Sequence, residues 1–147
     1  VTRSSVSHAA IGVEWEGVAL ILEATAGGVK VTPRSQWSRE HIVIAEYGFR
    51  PGVLVDVPEA IASIGRAYDY VGLLGFFVVA LGRRFGRWLR NPWASEKGLV
   101  CSEFVLCLDK DGSIPEWKGL DPETTMPEDL LRLCRQGGVF VEIPAGM

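Results

Sequence analysis

Cys101, His8 and Glu23 are the residues whose types and spacing bear on thiol chemistry in this chain. Cys101 opens the stretch Cys101-Ser102-Glu103-Phe104-Val105, which reads as the start of a short helix. Val100, Phe104 and Cys107 fall along one buried stripe of it, with Cys101, Val105 and Leu108 beside them. A cysteine in a first helical turn meets unpaired backbone N–H groups, which favour thiolate over thiol. The competing reading is a small hydrophobe in a core, the commonest fate of a free cysteine. Thiol catalysis also needs a base within hydrogen-bond reach and a third group that holds the base in one tautomer.

The hairpin that must carry those two groups is legible. Residues 7–15 and 18–24 alternate as strands around Glu16-Gly17, a tight turn in which glycine supplies positive φ. A two-residue turn sets Trp15 against Val18 and His8 against Thr25, and makes Glu23 the diagonal neighbour of His8. One face then collects Ala9, Ile11, Val13 and Trp15 with Val18, Leu20, Leu22 and Ala24. The other collects His8, Ala10, Gly12 and Glu14 with Ala19, Ile21 and Glu23. A histidine and a carboxylate therefore share a face, on condition that the register holds.

The remaining elements follow in order. Gly27-Gly28 turns into a strand over 29–32 that Pro33 ends, residues 34–39 read as a loop, and 42–47 as a central strand with His41, a surface or structural histidine, at its mouth. Pro58 opens a helix over 59–67 with Ala60, Ile61 and Ile64 inward. Asp109-Lys110-Asp111-Gly112-Ser113 is a turn that lacks the later ligands of a calcium loop. Thr125 and Glu128 form a capping box for a helix to about residue 136; Gly137-Gly138 stops it, and 139–143 is a last strand. This order predicts one α+β domain over 1–147, a mostly antiparallel sheet packed against helices with the cysteine at a helix start.

Composition excludes some functions. A net charge of -3 argues against nucleic acid as a partner. Three cysteines cannot all pair within one chain, and their spacing shows no metal pattern, so no cofactor or metal is expected. The most apolar run, 70–81, is too short for a bilayer, which needs about twenty residues. The chain shows neither a signal peptide nor a membrane span, which leaves cytoplasmic, cell-envelope and phage-associated settings open. Arg83, Arg84, Arg87, Trp88 and Arg90 form a local cationic and aromatic patch, suited either to an anionic membrane surface or acidic protein partner, or to an ordinary solvated face.

Four pieces carry a family resemblance: Ser7-His8-Ala9-Ala10-Ile11-Gly12-Val13; Leu22-Glu23-Ala24 with Gly28-Val29; Tyr68-Asp69-Tyr70; and Val100-Cys101-Ser102-Glu103-Phe104-Val105. In these the chain resembles the circularly permuted branch of the NlpC-type, papain-like cysteine hydrolases, relatives of the lecithin retinol acyltransferase group, in which histidine precedes cysteine. The resemblance implies a permuted papain-like domain in which Cys101 is the nucleophile, His8 the general base and Glu23 its orienting group. It places Tyr68 and Asp69 along the cleft and Ser102 and Glu103 in support of the cysteine helix. It implies thiol-dependent hydrolysis of an amide in peptidoglycan or a peptide-like substrate, through an acyl-enzyme. The alternatives are acyl transfer or deacylation on a lipid or lipidated substrate, and an inert binding or structural module. Family members carry a strand and a short helix ahead of the serine-histidine motif, which here begins at residue 7; either the chain is trimmed or its C-terminal strand completes the sheet.

Overall fold

A computed structural model of the chain describes residues 5–69, 75, 78–79, 81–87, 98–109 and 111–144. The alternation read from residues 7–25 becomes a three-stranded antiparallel sheet: β1 (Ile11–Trp15), β2 (Val18–Thr25) and β3 (Gly28–Pro33), in that order. Trp15 pairs with Val18 and Ile11 with Leu22, the register expected of a two-residue turn; Glu16 and Gly17 both take positive φ there. One face of the hairpin packs Ile11, Leu22 and Ala24 into the core, whereas Trp15 and Val18, near the turn, remain exposed.

Two further strand pairs lie among the described residues. β4 (Tyr47–Phe49) pairs antiparallel with β7 (Phe140–Glu142), and β5 (Ala67–Tyr68) pairs parallel with β6 (Gly98–Leu99). The C-terminal strand thus joins β4 rather than extending the hairpin sheet. β5 is tied to β3 through the backbone on its approach: Val29 N–H donates to Arg66 C=O at 2.9 Å and Gly65 N–H to Val29 C=O at 2.8 Å. Gly28 makes that approach possible. Its φ is +99°, and a Cβ there would stand 2.6 Å from the Arg66 carbonyl oxygen.

Helices cover the sheets. Among them are α1 (Arg34–Trp37), α2 (Val57–Ala62), α3 (Cys101–Leu106), extended by a 3-10 turn over Cys107–Asp109, and α4 (Pro127–Arg135); residues 81–84 are helical as well. Phe104, fully buried on α3, meets the hairpin residues Leu22 and Ala24 in a core shared with Leu130 and Phe140. Burying a side chain of that size contributes about 1.5–3 kcal/mol. Phe49, Trp117 and Phe140 form an aromatic cluster with ring centroids 5.4–6.0 Å apart.

An α+β architecture with antiparallel sheets against helices is what the sequence predicts; several elements differ from it. Residues 34–37, read as loop, are one turn of helix that Pro33 leads into. Residues 42–44, read as strand, lie outside any strand and are exposed, because no neighbouring strand offers them a ladder; the pairing begins only at Tyr47. The helix expected over 59–67 is α2, starting earlier and ending at Ala62. Asp56 caps it, accepting from Glu59 N–H at 2.9 Å, and Ile61 and Ile64 face solvent while Ala60 is buried. α4 is capped one residue later than expected: Asp129, not Glu128, reaches back to the Met126 N–H at 3.0 Å, and Thr125 donates to the Asp121 carbonyl instead. Most of the apolar run 70–81 lies outside the described residues; Gly75, Val79 and Gly82 are buried. No helix among the described residues is long and apolar enough to cross a membrane.

Candidate active site

His8 lies just ahead of β1, and Glu23 sits on β2 on the same side of the hairpin. That shared face brings His8 Nε2 to 2.9 Å from Glu23 Oε2. Glu23 has no exposed surface, while 27% of the His8 side chain remains open to solvent. A carboxylate only accepts, so the His8 ring carries its hydrogen on Nε2 in this contact and leaves Nδ1 with a lone pair. Lys30 on β3, directly opposite Glu23 in the register, approaches Oε1 at 3.3 Å. Burial pushes the Glu23 carboxyl upward, but the Trp37 indole N–H, His8 and Lys30 together outweigh it and hold the group below its ordinary value.

Cys101 begins α3 and is buried, at 8% exposure. Burial pushes its thiol above the ordinary value; backbone N–H groups of Ala9, Ser102 and Cys101 itself pull the other way, and the charge of Glu103 adds to the rise. The expectation that the helix start alone favours thiolate is therefore reversed in this conformation, because desolvation exceeds what the amides contribute. Cys107 and Cys134 are pushed up to about 11 by burial. The Ala9 amide that faces the Cys101 sulfur belongs to the residue next to His8, so the segment ahead of β1 meets the start of α3. Among the described residues, no hydrogen bond joins the His8 ring to that sulfur.

The residues expected to support the cysteine are placed around it. Ser102 is buried and donates to the Thr125 carbonyl at 2.6 Å, which ties α3 to the segment before α4. Glu103 accepts from the Val100 N–H at 2.9 Å, closing the first turn of α3 from within. Its carboxyl is pushed up to about 7, by burial first and then by the charges of Asp69, Glu123 and Asp121. Tyr68 pairs with Leu99 across β5 and β6, and the Asp69 N–H reaches the Leu99 carbonyl at 3.5 Å, so both residues flank the strand that delivers Cys101.

The arginine patch is divided. Arg83 is engaged within the fold, bonding Asp129 at 2.8 Å and the Thr124 carbonyl at 3.0 Å, which removes it from a surface available to anions. Arg84 and Arg87 are exposed, and Trp88 and Arg90 lie outside the described residues.

His41, read from the sequence as a surface or structural histidine, stands beside Glu23. It stacks flat on Trp37, with ring centroids 4.3 Å apart and planes 4° from parallel, and its Nε2 stands 4.0 Å from Glu23 Oε2. The spacing Trp37/His41 was the available signal, but it carries meaning only once 34–37 is helical. Although His8, His41 and Glu23 converge, no group of three His, Cys, Asp or Glu among the described residues is arranged to hold a metal. An open depression of about 460 Å³ between the β1–β2 turn and α1 is lined by Val18, Pro33, Arg34 and their neighbours, and none of Cys101, His8 or Glu23 lines it. Compared with family models, curated proteins and solved structures, the chain has no match.

Proposed function

We propose that this domain is a permuted papain-like cysteine hydrolase that cleaves an amide bond in peptidoglycan or a peptide-like substrate, with Cys101 as nucleophile, His8 as base and Glu23 as orienting group. The observation that carries the reading is the His8–Glu23 contact at 2.9 Å, which leaves His8 Nδ1 as the basic atom one residue from the amide that faces the Cys101 sulfur. In this reading the thiol is the resting form, as its burial requires. The Cys101 S–H proton passes to His8 Nδ1 as the sulfur attacks the carbonyl carbon, and the carbonyl π pair moves onto oxygen. The backbone N–H of Cys101, at the start of α3, is the candidate to receive that charge. Collapse expels the amine, which takes the proton from His8 and leaves a thioester on Cys101. Water then gives a proton to His8 and attacks the thioester, and the sulfur departs with that proton.

The test is the rate of alkylation of each cysteine by a small haloacetamide between about pH 5 and 9, in wild type and His8→Ala, followed by hydrolysis of peptidoglycan fragments by wild type and Cys101→Ala. Cys101 reacts fastest and loses at least about tenfold in His8→Ala, up to the 10²–10⁴-fold that general acid–base catalysis contributes. Equal reactivity of Cys101, Cys107 and Cys134, unaffected by His8, overturns the proposal and leaves a binding module.

A further inference from the structure

We propose that His41 is a second positioning residue of this site, competing in its protonated form with His8 for the same oxygen of Glu23. The inference rests on the reading of Cys101 and His8 above and adds to it a control on how firmly Glu23 holds the base.

The hydrogen positions follow from the partners. His41 Nδ1 lies 3.0 Å from the Trp37 carbonyl oxygen, which only accepts, so Nδ1 carries a hydrogen. In the neutral ring Nε2 then presents a lone pair, and it points at Glu23 Oε2, another acceptor, from 4.0 Å. His8 has the opposite arrangement, since its Nε2 carries the hydrogen that Glu23 Oε2 accepts. Two histidines of opposite tautomer therefore face one carboxylate oxygen. Their ring centroids are 6.2 Å apart.

Protonation separates their roles. A second proton on His41 goes to Nε2 and turns a 4.0 Å stand-off into an ion pair with Glu23. The Trp37 stack and the Trp37 carbonyl hold the ring in place for it. Among the described residues, the charged or titratable groups that face Glu23 are then His8 from the segment before β1, Lys30 from β3 at Oε1, and His41 from the chain after α1. A cationic His41 takes part of the Glu23 charge and stands beside the imidazolium that His8 becomes when Cys101 gives up its proton. It opposes that step. The opposition is felt where His41 is protonated and is absent where it is neutral.

The experiment uses the full chain with His41→Phe, which keeps a ring for the Trp37 stack and removes Nε2, and with His41→Gln as a second variant should the first fail to fold. Long-range proton–nitrogen NMR of the histidine rings is recorded at about pH 6 and pH 8.5, alongside Cys101 alkylation at both. In wild type at the higher pH, His41 shows the Nδ1–H form and His8 the Nε2–H form. In the variant, the His8 ring signals differ from wild type at the lower pH and match at the higher, and Cys101 alkylation rises about threefold relative to wild type at the lower pH only. Wild-type His41 in the Nε2–H form, or identical His8 spectra in wild type and variant at both values, overturns the proposal. The ring spectra decide this even if Cys101 proves indifferent to His8, a result that sinks the hydrolase reading alone.

Discussion

His8 Nε2 and Glu23 Oε2 stand 2.9 Å apart across the β1–β2 hairpin, with the carboxylate wholly buried and the imidazole partly open. The partner of the His8 imidazole is thus fixed by a strand register, and the ring itself keeps one side open to solvent. Replacing Glu23 by Gln keeps the shape and removes the charge. A charge-assisted hydrogen bond contributes about 1 kcal/mol more than a neutral one, so the His8-dependent part of Cys101 alkylation falls roughly fivefold. Stability has its own signature. The Glu23 carboxyl is held below its ordinary 4.5, so the stabilisation it contributes is present above that pH and is lost as pH falls through the lowered value. Thermal unfolding of wild type and Glu23→Gln should differ most near neutrality and converge in acid, below the lowered value.

Glu103 predicts the opposite slope. Its carboxyl is raised from 4.5 to about 7, so the folded state prefers it protonated; that contribution is complete below 4.5 and is lost as pH rises through about 7. Glu103→Gln retains a carbonyl to accept from the Val100 N–H and removes the charge. The variant should melt a few degrees above wild type near pH 8 and show no such gain near pH 4. Because the Glu103 charge also raises the Cys101 thiol, alkylation of Cys101 at pH 8 should quicken in the same variant.

Ser102→Ala tests the tie between α3 and the chain before α4. It removes a buried donor and strands the Thr125 carbonyl, which now accepts at 2.6 Å. The expected loss is about 1–3 kcal/mol in urea unfolding, with an unchanged m-value.

Gly28→Ala tests the approach of β3 to Arg66. A methyl group there meets the Arg66 carbonyl at 2.6 Å on a backbone of φ +99°. Conformational strain alone costs about 1–3 kcal/mol, and the clash adds to it. Hydrogen exchange should quicken at the Val29 and Gly65 amides that stitch the two segments together, before it does elsewhere in β2.

How legible the site was depended on the range of the contacts that make it. The Glu16-Gly17 turn and two-residue alternation place His8 and Glu23 on one face without further information, and the register confirms that placement. The start of α3 at Cys101 was equally local. The single turn of α1 was not, because four residues carry no period, and without it Trp37 read as loop and His41 as a surface or structural histidine at the mouth of a strand. Ile42, Val43 and Ile44 misled for a related reason: a β-branched run looks like a strand, but only a neighbouring ladder makes it one. The cap of α4 slipped by one residue because Pro127 occupies the first helical position, which makes Met126 the boundary and Asp129 the residue within reach.

The Ala9 amide against the Cys101 sulfur joins two parts of the chain more than ninety residues apart in sequence, with β3, β5 and β6 stitched between them. Closing a contact over so long a separation carries a large loop entropy. The environment of this sulfur is therefore a property of the whole domain and of no fragment of it. A chain nicked between the hairpin and α3, or caught partway through refolding, would expose Cys101 as an ordinary thiol, which makes its reactivity a clock for the completion of folding.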